Sequence, residues 1–156
     1  AILTTTETVL KDNPSLDCRL EEKVLKHEVS HPTVVVLGRR ELPKNLNLFR
    51  IKNRKILFFK TLDDFLQSEE VKTMDSIMSE CGAVMNSLLL QRGLVDEIRF
   101  FVSPQIIGNF EKNSFSQNFE LEKFEISCIE KYKNDLCFLY EKRFRVQWFK
   151  VQGLGH

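Results

Sequence analysis

Three stretches of the chain hold residues whose types and spacing could do chemistry. In Ser79-Glu80-Cys81-Gly82-Ala83 a carboxylate and a glycine stand between a short apolar run and a helical pattern. A strand ending in such a turn leaves free backbone N–H groups at the start of the helix, where the helix dipole favours a phosphate and a glycine lets it come close. The plainer alternative is that Gly82 only eases the turn and Glu80 is a solvated carboxylate. In the second stretch, Asp12-Asn13-Pro14-Ser15-Leu16 makes a fixed polar turn with Thr8 before it and Arg19 after it. The planar guanidinium fork of Arg19 suits a phosphate monoester, and the alternative is a capped turn with a surface arginine. The third stretch, Arg39 to Lys60, carries eight Lys and Arg against one acidic residue, Glu41. Only Phe49, Phe58 and Phe59 interleave with these charges, so a solvated edge is favoured over a nucleic-acid surface. A narrower reading has Arg39 and Arg40 meeting a phosphate at the carboxyl edge of a sheet.

Composition limits what these stretches can serve. The 156 residues are 42% hydrophobic and 29% charged, as expected of a soluble domain with one core. Twenty-three Lys and Arg against twenty-two Asp and Glu leave no overall field to draw nucleic acid or anionic lipid, so any polyanion site must be local. No apolar run approaches the roughly 20 residues of a membrane helix. Cys18, Cys81, Cys128 and Cys137 form no CxxC pair, and His27, His31 and His156 lie at no metal-ligand spacing from them, so no metal site is expected. Free thiols without staples point to a reducing compartment, the cytoplasm. The opening Ala1-Ile2-Leu3, with no preceding Met, reads as the inside of an element and the chain as a fragment.

The elements that must position these residues follow from two periods. Ala1–Thr6 reads as a buried strand and Glu7–Lys11 as a helical turn or two capped by Thr6 and stopped at Asn13-Pro14. Thr33–Leu37, β-branched and bounded by Pro32 and Gly38, predicts a strand buried on both faces, which is a parallel-sheet signal. Lys55–Lys60 predicts a second buried strand, with Leu62, Phe65, Leu66 and Val71 then at helical spacing. Ser76–Met78 predicts a short strand ending at Glu80, and Ala83–Arg92 a helix closed by Gly93. After a strand at Glu97–Val102 the pattern turns antiparallel. Phe124, Ile126 and Cys128 alternate with polar residues, Lys133-Asn134-Asp135 turns, and Leu136, Phe138 and Tyr140 alternate again. The expectation is one mixed, mostly parallel sheet in an α/β sandwich over residues 1–146, followed by a tail at 147–156.

Taken in order, Ala1 through Arg19, Glu80-Cys81-Gly82 through Glu97, and Pro104-Gln105-Ile106-Ile107-Gly108 closely resemble the reductase domain of riboflavin biosynthesis. That domain is the C-terminal half of the bifunctional pyrimidine deaminase/reductase. The likeness runs from residue 1 to about 144 and is loose between Leu20 and Met74. It implies a dihydrofolate-reductase-like fold and NADPH-dependent reduction of the ribosyl group of 5-amino-6-(5-phosphoribosylamino)uracil to a ribityl group. Position by position, it implies cofactor contacts at Thr8, Asp12, Gly82, Ala83, Val84, Met85, Asn86, Ser87 and Leu88. It implies substrate contacts at Leu16, Arg19 and Glu80, with Arg19 at the substrate phosphate. No residue is singled out as a general acid.

The chain departs from the family's pattern in two places. The family sets a strand, a substrate-binding loop and a helix ahead of the residue that is Ala1 here, and it more often has an acidic then a small polar residue where this chain has Leu37-Gly38. The resemblance further implies an N-terminal deaminase domain in the full protein. Two other readings are carried beside the first. One is the related reductase acting on the diaminopyrimidine before deamination. The other is a non-catalytic remnant serving as half of a homodimer, with Leu88, Leu89, Leu94 and Ile98–Val102 offering apolar surface.

Overall fold

The computed structural model describes residues 1–18, 30–105 and 121–143. Among them the chain forms two compact units, one spanning Ala1–Ser87 and the other taking up the described residues from Leu88 onward.

The first unit is built on strands too apolar to face water. In β2 (Val34–Leu37) all four residues are buried, three of them completely. It pairs with β1 (Ile2–Thr5) on one side and β3 (Ile56–Phe59) on the other, while β4 (Met78–Ser79) adds to the far side of β1, for the order β3-β2-β1-β4. Every pairing is parallel, with Ile2 opposite both Val34 and Met78, and Val34 opposite Ile56. Parallel strands bring all four carboxyl ends to one edge of the sheet, and the loops that follow them share that edge. β3 was predicted to be fully buried; it is instead an edge strand, and Phe58 is 54% exposed.

Helix α1 (Thr6–Asp12) starts directly from β1. Its cap is Thr5, whose hydroxyl accepts from the Thr8 N–H at 3.2 Å, one residue earlier than the sequence suggests. Thr6 is buried instead, under Gly38: a Cβ at Gly38, where φ is +138°, would lie 2.2 Å from Thr6 Oγ1. α1 ends at Asn13, where the Asn-Pro pair predicts a stop, with Asn13 itself in the left-handed conformation. Helix α2 (Leu62–Leu66) opens on a reciprocal cap between Thr61 and Asp64 and is shorter than the spacing through Val71 suggests. Val9, Val34, Val36 and Leu48 form a fully buried cluster, with Leu16, Leu42, Leu46, Phe49 and Ile56 packed against it. Helix α3 (Ala83–Gln91) follows β4 and closes at Gly93, which sits at φ +67°.

The second unit is an antiparallel sheet of order β5-β7-β6, from β5 (Glu97–Val102), β6 (Phe124–Tyr132) and β7 (Asp135–Lys142). The β6–β7 hairpin turns at Lys133, with φ +56°. A bulge between Ile126 and Cys128 puts Ile126 opposite Tyr140 and Cys128 opposite Leu139, so the predicted alternation carries only as far as Ile126. The parallel and antiparallel strands hydrogen-bond in separate sheets where the sequence suggests a single mixed one, because no ladder joins β4 to β5 among the described residues. No helix among the described residues is long and apolar enough to cross a membrane.

Candidate cofactor and substrate site

The start of α1 and the turn leaving β4, two of the stretches singled out in the sequence, meet at the carboxyl edge of the parallel sheet because β1 and β4 are neighbours. Leu3 lies opposite Ser79, so the start of α1 and the turn leaving β4 run side by side. Thr8 is half-buried on the first turn of α1, its hydroxyl 3.0 Å from that of Thr5, and Asp12 is exposed on the last turn. Glu80 is fixed by its backbone, which donates to Leu3 O at 2.8 Å and accepts from the Thr4 hydroxyl at 3.0 Å, while its side chain remains exposed.

The turn after Glu80 is clamped by one side chain. Asn86 Nδ2 donates to Cys81 O at 3.2 Å, its Oδ1 accepts from the Ser79 hydroxyl at 2.9 Å, and its backbone N–H donates to Gly82 O at 3.1 Å. Within this span Gly82 and Val84 are exposed, Ala83 and Met85 half-buried, and Ser87 buried. Leu88 follows on the same helix. An added Cβ at Gly82 would meet nothing within 4 Å, so neither packing nor a strained φ demands glycine there. The open backbone fits a group that must approach closely, such as a cofactor phosphate. Burial, opposed by a hydrogen bond with Ser79 and helped by the charge of Glu80, pushes the Cys81 thiol up to about 11, which disfavours the nucleophilic thiolate.

The loop after α1 is held by an arginine that the sequence hides within its basic stretch. Arg54 Nη1 donates to Ser15 O at 2.6 Å and to Leu16 O at 2.9 Å, and Nη2 donates to Leu48 O. Burial pulls this guanidinium below the ordinary arginine value, and nearby Asp17 opposes the shift. Asn47 ties the same loop down from the other side, its N–H donating to Asn13 Oδ1 at 2.8 Å and its Nδ2 to Asn13 O at 3.0 Å. Leu16, held at φ +50°, packs on the buried cluster, and Ser15 donates to Asp17. Arg19 lies outside the described residues, as do Ile106, Ile107 and Gly108.

The structure therefore sets the start of α1, with Thr8, beside Glu80 and the Gly82–Ser87 span, while Leu16 lies in the same unit on a loop held by Arg54 from just ahead of β3. Sequence reasoning missed Arg54, whose role depends on carbonyls 38 and 39 residues away and on Leu48 six residues back. Among the described residues no three His, Cys, Asp or Glu side chains are grouped to hold a metal ion.

Comparison with known proteins gives the chain a lineage. Residues 1–138 match the family model described as the RibD C-terminal domain. A 5-amino-6-(5-phosphoribosylamino)uracil reductase from Buchnera aphidicola (subsp. Acyrthosiphon pisum) is 27% identical over 168 residues, covering 85% of this chain and 79% of the relative. Among solved structures, RibD from Acinetobacter baumannii superposes with TM-score 0.73 at 22% identity, over 92% of this chain and 47% of that one. A diaminohydroxyphosphoribosylaminopyrimidine deaminase/5-amino-6-(5-phosphoribosylamino)uracil reductase from Thermotoga maritima also gives TM-score 0.73 at 22% identity, covering 91% and 45%. The chain thus spans about half the length of these two structures.

Proposed function

The chain belongs to the RibD C-terminal domain family, and from that premise we propose that it carries the reductase step of riboflavin biosynthesis. The reaction is reduction of the ribosyl group of 5-amino-6-(5-phosphoribosylamino)uracil to a ribityl group, with NADPH as the hydride source. The observation that carries this reading is the juxtaposition at the sheet edge: the start of α1 beside an exposed Glu80 with a held backbone and an open glycine turn at Gly82.

A nicotinamide cofactor, when bound, supplies the hydride that reduces C1′ of the sugar. This chain's residues bind and orient. The Gly82–Leu88 span would hold the cofactor's phosphates, with Asn86 keeping the turn in shape, and Thr8 and Asp12 would contact the cofactor from α1. Glu80 and Leu16 would position the pyrimidine and its sugar, and Arg19 would take the substrate phosphate. The proposal extends to a cytoplasmic protein with a deaminase domain ahead of this one, in keeping with the two-activity name of the Thermotoga maritima relative. It also extends to a homodimer, supported by exposed Leu94, Phe101 and Val102; Leu89, which the sequence groups with them, is buried.

The test is NADPH binding by fluorescence titration on the chain and on Gly82→Asp, followed by turnover with the deaminated and the diamino pyrimidine in competition. A carboxylate at position 82 would repel phosphate at the helix start and weaken NADPH binding at least about tenfold. Equal binding by both proteins would remove the cofactor from this turn.

A further inference from the structure

Thr4 is the one polar residue fully buried among the described residues. It sits within β1 opposite Val36 of β2, where Val34, Val35 and Val36 are equally covered and a valine would fill the same space. A hydroxyl in such a place costs stability unless it is hydrogen-bonded, so the bond it makes accounts for its presence. That bond runs from Thr4 Oγ1 to the carbonyl oxygen of Glu80, 76 residues away, at 3.0 Å. β4 ends at Ser79, and the Glu80 N–H donates to Leu3 O at 2.8 Å as the last rung beside β1. The Cys81 thiol reaches the same Leu3 O at 3.4 Å. Adjacent residues of β1 thus grip Glu80 on both sides of its Cα, Leu3 at the N–H and Thr4 at the carbonyl. With both peptide groups fixed, standard backbone geometry fixes the direction in which the side chain leaves the chain; its outer torsions stay free to meet a ligand.

We propose that Thr4 is a positioning residue for the reduction: from inside the core, its hydroxyl holds the Glu80 carbonyl and so directs the Glu80 side chain toward the substrate. Thr4 touches no ligand itself. The two clamps on this turn divide the work. Asn86 holds the carbonyls of Cys81 and Gly82, which shape the turn assigned to the cofactor, whereas Thr4 holds the carbonyl of the carboxylate residue alone. Loss of the Thr4 hydroxyl should therefore be felt by the substrate and not by the dinucleotide. An ionised carboxylate only accepts hydrogen bonds, so it serves a sugar hydroxyl or a pyrimidine N–H only when aimed at it, and a misplacement of about 1 Å can cost about 100-fold. The inference rests on the reductase reading for what Glu80 meets; the grip of Thr4 on Glu80 does not depend on it.

The experiment compares Thr4→Val and Thr4→Ala, which remove the hydroxyl, with Thr4→Ser, which keeps it. Amide hydrogen exchange followed by NMR reads the grip directly: the Glu80 amide should exchange at least about tenfold faster in the valine and alanine variants and at the parent rate in the serine variant. The Val36 amide, opposite Thr4, should stay protected in Thr4→Val and so report an intact sheet. In turnover, kcat/KM for the pyrimidine should fall about tenfold in Thr4→Val, recover in Thr4→Ser, and leave the NADPH Kd within about twofold of the parent. Placed in a Glu80→Gln background, Thr4→Val should cost no more than about a further twofold, because the group it positions is already gone. Unchanged exchange at Glu80, the full loss persisting in the Glu80→Gln background, or NADPH affinity falling in step with kcat/KM would each overturn the inference. A parent that reduces neither pyrimidine would defeat the reductase reading instead, and the exchange rates alone would then decide whether Thr4 holds Glu80.

Discussion

The two sheets of this protein bury their strands to very different degrees. In β2 every side chain is covered, whereas in β6 every residue after Phe124 is exposed. The central strands β1 and β2 are covered along nearly their whole length, so the loops at their carboxyl ends are left to carry polar function. The antiparallel hairpin pairs an exposed β6 with a partly covered β7, in which Cys137 is buried. Chemistry in the first sheet is therefore concentrated at the strand ends, and the second sheet shows no comparable concentration among its described residues.

The sharpest way to break this contrast is a charge placed in each sheet. Val36→Asp buries an unpaired carboxylate beside Val9 and Leu48 and should cost about 4 kcal/mol or more, while Ile129→Asp on the exposed hairpin should cost about 0.5 kcal/mol. Urea unfolding midpoints of the two variants would measure it, and similar losses would refute the contrast. Next in size is Arg54. Arg54→Met strips three carbonyls of their donor and should cost about 3 kcal/mol. Because two of those carbonyls belong to the Ser15-Leu16 loop, the substrate KM should rise while NADPH affinity holds, and Arg54→Lys should restore little, since an ammonium lacks the planar fork. A KM unchanged from the parent would reduce Arg54 to a purely structural residue.

The smallest effect is kinetic and compares two thiols. Cys81, at the edge of the parallel sheet, ionises near 11 in the folded protein against an ordinary 9.0, so at pH 8 it stays a thiol and should alkylate far more slowly than exposed Cys128 in β6. The raised value also means that Cys81 helps the folded state fully below pH 9. That help is lost as the pH climbs toward 11, because the unfolded chain ionises first. Mass spectrometry after brief iodoacetamide treatment reads the ordering directly, and faster labelling of Cys81 would contradict its burial.

Much of the parallel unit was legible in the sequence because its signals are local. Pro32 and Gly38 bracket β2, Asn13-Pro14 stops α1, and Gly93 closes α3. The hairpin turn after Tyr132 was legible for the same reason. What was not legible depends on partners distant in the chain. The bulge before Cys128 arises from the pairing with β7, and the exposure of Phe58 from the edge position of β3. Thr5 and not Thr6 caps α1 because Thr6 is taken up against Gly38. Of the site, the glycine turn, Glu80 and the polar loop could be picked out from residue types. Arg54 could not, since one inward arginine among eight basic residues looks like the rest.

The contact between Gly38 and Thr6 bears on how this protein tolerates change. Only a hydrogen atom fits there, so the end of β2 is pinned to the first turn of α1 like a rivet through two plates. Substitutions at the exposed residues that follow, Arg39, Arg40 and Glu41, can recolour the loop without shifting the plates. A library randomised over those three residues with position 38 left untouched should return folded proteins, while one that includes position 38 should mostly return chains that fail to fold.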